Sequence, residues 1–175
     1  GPAALRYPRG SGHGVDISTP PKLIEIGKGE VLRKGKDVAV IAYGSMVYPA
    51  MNAAEQLARS GVNVSVINAR FVKPLDAKLI LATARESSLI VTVEEAYLAG
   101  GFGSAVMELL EENGLQDKVK VVRMGVPDEI VSHGDPNRLL GDYGLDADGI
   151  YKRVLGSLDA LNEERNGGRK MRAVK

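Results

Sequence analysis

At 175 residues, with 44% hydrophobic and 26% charged residues and no cysteine, the chain has the composition of one globular domain with appendages; disulfides, thiolate metal sites and cysteine nucleophiles are excluded. Its net charge of +1 joins unlike parts: residues 165–175 hold five basic side chains and no acid, and residues 1–164 hold 18 basic and 22 acidic ones, an acidic body poorly suited to nucleic acid. No apolar run approaches the roughly 20 residues of a membrane span, and the start, Gly1-Pro2-Ala3-Ala4-Leu5-Arg6, lacks the charged and apolar regions of a signal peptide.

The first 21 residues read as a Gly- and Pro-rich loop. One short strand is expected at Ala3–Tyr7; having no sequence neighbour to pair with, it reads as the last strand of something upstream. Order is expected to begin near Leu23. Glu30–Arg33 and Asp37–Tyr43 flank Lys34-Gly35-Lys36 and predict a hairpin, its second arm apolar enough to be buried on both faces. Ala50, Ala53, Ala54, Leu57 and Ala58 recur at helical spacing, with Pro49 in the first turn and Gly61 as the terminating glycine. A strand rich in β-branched residues follows at Val62–Asn68. Asp76 then caps a helix through Leu79, Ile80 and Ala84.

Leu89–Val93 predicts another buried strand. Gly103-Ser104 opens a helix through Val106, Leu109 and Leu110 that Asn113-Gly114 closes, and Val119–Met124 is the last strand. Asp135-Pro136 starts a short helix, and Asp146 starts a final one carrying Ile150, Val154, Leu155, Leu158 and Leu161. Strands alternating with helices predict a three-layer α/β/α sandwich: a mostly parallel five-stranded sheet with one antiparallel edge strand. The boundaries are 1–22 for the end of a preceding domain and linker, 23–164 for the folded domain, and 165–175 for a basic, disordered tail.

Ligands of open α/β sheets favour the carboxyl ends of the strands. The segments there are Tyr43-Gly44-Ser45, Asn68-Ala69-Arg70, Glu94-Glu95 and Gly125-Val126-Pro127-Asp128. The glycines of Gly100-Gly101-Phe102-Gly103 precede a helix and would let N–H groups face an anion, but two glutamates at the mouth repel phosphate, and the spacing is that of neither a dinucleotide fingerprint nor a P-loop. The plainer reading is a tight loop packed against a neighbouring domain or subunit. Adjacent residues of a strand face opposite ways, so Glu94 and Glu95 do not make an acid–base pair. His13 and His133 lack metal-ligand spacing and read as loop histidines, His133 being the better candidate for a role. Arg6 and Arg9, fixed near each other by Pro8 and Gly10, suit a phosphate or carboxylate, or equally a structural salt bridge.

Taken in order, Arg6-Tyr7-Pro8-Arg9-Gly10, Ile26-Gly27-Lys28-Gly29, Ala69-Arg70-Phe71-Val72-Lys73-Pro74-Leu75-Asp76, Val91-Thr92-Val93-Glu94-Glu95 with Gly100-Gly101-Phe102-Gly103-Ser104, and Gly144-Leu145-Asp146 resemble the 1-deoxy-D-xylulose-5-phosphate synthase family. The first and third strings are fairly specific to it; the glutamate–glycine pattern is shared with transketolases and 2-oxoacid dehydrogenase β-subunits. The resemblance runs from Ala4 to about Leu161 and implies the C-terminal, transketolase-like domain of a cytoplasmic or plastid homodimeric transferase. Residues 1–22 would then end its pyrimidine-binding domain. Such an enzyme uses thiamine diphosphate and Mg2+ to condense pyruvate with glyceraldehyde 3-phosphate, releasing CO2 and feeding isoprenoid and thiamine synthesis. The family's metal–diphosphate signature is missing here, so the resemblance implies a chain that binds neither cofactor, carries no catalytic residue and is inactive alone, its partners being the other domains of the enzyme. One role transfers: Arg9 matches the family arginine that helps hold the aldehyde's phosphate. Two alternatives stand beside this reading: the equivalent domain of a transketolase or 2-oxoacid dehydrogenase β-subunit, and a stand-alone flavodoxin-like module for an anion or partner protein.

Overall fold

The computed structural model describes residues 1–5, 7, 12, 14–16 and 18–172, without the side chains of 167–172. Its elements are β1 (Glu30–Arg33), β2 (Val38–Ala42), α1 (Val47–Arg59), β3 (Val64–Asn68), α2 (Ala77–Glu86), β4 (Leu89–Tyr97), α3 (Phe102–Glu112), β5 (Lys120–Val126), α4 (Pro136–Asp142) and α5 (Ala147–Arg172). They form one five-stranded sheet of order β1-β3-β2-β4-β5. Strands β2 to β5 are parallel, and β1 is antiparallel at the edge.

Every residue of β2 is buried, and its side chains alternate between two cores. Val38, Val40 and Ala42 face α1 and α5, where Ala50, Ala54, Leu57, Ile150 and Val154 complete one apolar layer. Ala39 and Ile41 face α2 and α3, where Ile80, Ala84, Phe102, Val106 and Leu110 complete the other. A strand covered on both faces has no polar side to show, which is why it reads as an unbroken apolar run. The expected three-layer α/β/α fold is the one observed.

The caps expected from the sequence are in place. Asp76 Oδ1 accepts from the Leu79 N–H at 3.0 Å, Asp135 Oδ1 from Arg138 at 3.0 Å and Asp146 Oδ1 from Gly149 at 2.8 Å. Gly61 ends α1 with φ of +82°.

The hairpin is not formed. β1 pairs with β3, Glu30 opposite Asn68 and Val31 opposite Ile67, because both edges of β2 are taken by β3 and β4. The Lys34–Asp37 loop instead wraps the start of β3. The Lys36 and Asp37 N–H groups both donate to the Asn63 carbonyl, and the Asn63 N–H donates to Asp37 Oδ2 at 2.7 Å. A Cβ on Gly35 would lie 2.2 Å from the Val64 carbonyl carbon, so only glycine passes there.

Two ends also differ from expectation. Ala3–Leu5 and Tyr7 are exposed and form no strand, since no described strand lies alongside to pair with them. Helix α5 runs on to Arg172, through residues whose composition predicts a disordered end; extending a formed helix costs far less than starting one.

Gly35→Ala is expected to lower unfolding free energy by about 1–3 kcal/mol, whereas Gly156→Ala, on an open face of α5, should raise it by about 0.5–1 kcal/mol. Urea unfolding followed by circular dichroism reads both.

Candidate functional site at the carboxyl edge of the sheet

The chain leaves β2 through α1 to reach β3 on one side, and returns through α2 to place β4 on the other. The carboxyl ends of β2 and β4 therefore diverge at a topological switch point, where open α/β sheets leave a crevice. Here the crevice is bridged: the Ser45 hydroxyl donates to Glu95 Oε2 at 2.5 Å, joining the turn after β2 to β4. Tyr43 stacks on Phe102 beneath it, ring centroids 5.7 Å apart.

Glu94 and Glu95 do face opposite ways. Glu95 is exposed, and Glu94 is 1% exposed. The two Glu94 oxygens accept the Phe102 and Gly103 N–H groups at 2.6 and 2.8 Å, so a carboxylate of the chain itself sits at the N-terminus of α3. The loop closes tightly around it: a Cβ on Gly101 would fall 2.4 Å from Glu94 Oε2 and 2.3 Å from the Tyr97 carbonyl oxygen. The tight strand-to-helix loop of the plainer reading is observed, with the anion at its helix terminus supplied by the chain itself.

At the end of β3, Arg70 adopts a positive φ of 57°. Such a backbone costs about 1–3 kcal/mol in a non-glycine residue. It is stabilised by the Asn68 side chain, which accepts the Arg70 N–H at 3.0 Å, and by an ion pair between the Arg70 guanidinium and Glu30. The lead segment arrives beside it, where the Gly29 N–H donates to Asp76 Oδ2 and Gly27 lies against Pro74. The sequence marks the Asn68-Ala69-Arg70 segment by its place after a strand but gives no sign of the left-handed backbone that aims Arg70. Arg6, Arg9 and His13 lie outside the described residues. His133 is exposed, two residues before the Asp135 cap and away from the Ser45–Glu95 bridge in sequence.

The fourth strand end opens on an apolar groove of about 510 Å3 between β4, β5 and α4, lined by Tyr97, Val126, Val131, Leu139, Leu140 and Leu145. Beside it Ile130 is 98% exposed. The sequence passes over this groove because its residues come from four separate segments. Tyr143 closes one end, its hydroxyl donating to Glu129 Oε1 at 2.8 Å. That bond, with lesser contributions from partial desolvation and nearby negative charge, raises the Tyr143 pKa above the ordinary tyrosine range.

The edge does not fit a metal-bound diphosphate. Among the described residues no three His, Asp or Glu side chains gather as metal ligands. The N–H groups that open α3 are already taken by Glu94.

Comparison with known proteins places these features in a family. A family model described as "Transketolase, C-terminal domain" matches residues 27–150. The chain is 54% identical over 154 residues to 1-deoxy-D-xylulose-5-phosphate synthase 1 of Geobacter metallireducens, covering 88% of this chain and 24% of that protein. It is 52% identical over 158 residues to the 1-deoxy-D-xylulose-5-phosphate synthase of Thermomicrobium roseum, covering 90% and 25%. The chain thus spans about a quarter of the length of these relatives. Among solved structures, a split-gene transketolase described as an inactive beta4 tetramer superposes with a TM-score of 0.73 at 35% identity, over 82% of this chain and 46% of that one.

Glu94→Ala leaves two N–H groups unpaired in a buried site and is expected to cost about 1–3 kcal/mol in urea unfolding, against less than about 0.5 kcal/mol for exposed Glu95→Ala. Tyr143, followed by NMR with its ring carbon labelled, should ionise above the ordinary tyrosine range, and Glu129→Gln should bring it back down. Because the folded-state value is the raised one, the Tyr143–Glu129 bond contributes stability below the ordinary tyrosine pKa and loses it as pH climbs through the raised value.

Proposed function

Since the chain belongs to the transketolase C-terminal domain family, we propose that it serves as the C-terminal domain of a 1-deoxy-D-xylulose-5-phosphate synthase, the thiamine-diphosphate transferase that condenses pyruvate with glyceraldehyde 3-phosphate. The observation that carries this reading is the 54% identity to such a synthase over 88% of the chain; the transketolase of known structure that covers most of the chain stands at 35%. In this reading the domain supplies no ligand to the metal or to the cofactor's diphosphate, which agrees with a carboxyl edge whose anion-ready N–H groups are filled by Glu94. No step of the reaction is assigned to its described residues.

Its part is assembly and substrate-side shaping. The apolar groove beside Tyr97 and exposed Ile130 is suited to a neighbouring domain of the same enzyme, within a homodimer of the bacterial cytoplasm or plastid stroma. The lead segment joins the fold next to Arg70 and Asp76, on the same carboxyl edge. Arg9, further back on that segment, is assigned to the phosphate of glyceraldehyde 3-phosphate, a dianion that a guanidinium grips with paired hydrogen bonds.

The 175-residue chain, given thiamine diphosphate, Mg2+, pyruvate and glyceraldehyde 3-phosphate, is expected to form no 1-deoxy-D-xylulose 5-phosphate, while the full-length enzyme does. In the full-length enzyme Arg9→Gln should raise the KM for glyceraldehyde 3-phosphate by about tenfold or more and leave that for pyruvate within about twofold. Turnover by the isolated chain overturns the domain reading, and an unchanged aldehyde KM removes Arg9 from the site.

A further inference from the structure

A second feature lies on the outer edge of β5, the strand that ends the sheet. A cavity of about 470 Å3 wraps that edge, within the size range of small-ligand sites. Its charged lining is Arg123, Lys152 and Arg153, with no acid among the lining residues. The three cations come from different layers. Arg123 belongs to β5 and reaches toward the start of α3, where it bonds Ser104; Lys152 and Arg153 come from the early turns of α5, which packs on the opposite face. Only the fold brings them together.

The ion pairs among the described residues are Arg70–Glu30, Lys120–Glu164 and Arg138–Asp142, and none uses the cations of this cavity. Carboxylates around the cavity are engaged elsewhere: Asp146 accepts from the Gly149 N–H, Glu94 from the start of α3, and Glu129 from the hydroxyl of Tyr143, itself a lining residue.

Arg123 is also pre-set. Its Nη1 donates to the Leu98 carbonyl and to Ser104 Oγ, both at 2.8 Å, and its stem lies close against Gly103, where a Cβ would come within 2.9 Å of Cγ. The guanidinium is therefore held in place by one nitrogen, and its Nε and Nη2 donors carry no bond among the described residues. A fixed planar fork with unbonded donors, lining one cavity with two exposed cations, is an arrangement for a multivalent oxyanion.

We propose that the β5 edge is an anion site for a small phosphate- or diphosphate-bearing molecule, held between Arg123 on one side of the sheet and Lys152 and Arg153 on the other. The site stands independently of the synthase reading and of Arg9.

The test is calorimetric and NMR titration of the full 175-residue chain with pyrophosphate and with inorganic phosphate at low ionic strength. Pyrophosphate should saturate one site with a dissociation constant below about 1 mM, phosphate more weakly, and added salt should weaken both. Arg123→Gln should weaken pyrophosphate binding about tenfold, and the exposed pair Lys152→Gln/Arg153→Gln, which cannot unfold the domain by losing packing, should do so by a similar factor. Arg169→Gln/Lys170→Gln/Arg172→Gln should leave the constant within about twofold. Absence of saturation up to about 10 mM, equal binding by the cavity variants, or loss that follows the tail variant instead would overturn the proposal.

Discussion

The whole arrangement depends on β2 being buried on both faces and paired on both edges. Its five residues leave no polar surface and no free backbone, so every other element is placed by what β2 still needs. Helices must cover each face, two parallel strands must flank it, and the crossovers that supply those strands must leave in opposite directions. The switch point follows from the last requirement, and so do the two outer strands, β1 and β5, which take the only positions left. The features of chemical interest are consequences of that placement: a bridged crevice where β2 and β4 part, and a cationic cavity where the sheet runs out.

The crevice shows how a fold-level expectation can be cancelled by one side chain. A glycine-rich turn into a helix at the carboxyl end of a parallel strand is a common anion site. Here the strand runs on through Glu94, and its carboxylate reaches the N–H groups before any ligand does. The same turn leaves Gly101 and Gly103 no space for side chains: Gly101 closes on the Glu94 carboxylate and the Tyr97 carbonyl, Gly103 on Thr92 and the Arg123 stem. The β5 edge presents the reverse case: three cations that only the assembled layers bring together.

What the sequence made legible was mostly local or periodic. Asp76, Asp135 and Asp146 cap helices through bonds that span three residues, so the pattern carries them. The opposed directions of Glu94 and Glu95 follow from the two-residue period of a strand. The partner of β1 was not legible, because a hairpin and an edge exchange present the same string; the choice turns on β3 and β4, far along the chain, taking both edges of β2. The positive φ of Arg70 was equally hidden, since nothing in an arginine announces it; it is imposed by Asn68 and by Glu30 from across the sheet edge. The motif holding Arg9 was visible as chemistry, while its placement falls outside the described residues.

The Glu94 carboxylate has one more consequence. It is a tethered competitor: covalently attached and held by the strand, it faces the α3 N–H groups at an effective concentration well above the millimolar level of a short flexible link. No change in metabolite level displaces it. The helix terminus is a permanently occupied receptor, silent to the cell's phosphate, whereas a pocket lined by untethered partners exchanges its contents with the surroundings. Two superficially similar preferences for negative charge in one small domain thus differ in kind, one fixed at synthesis and the other open to titration.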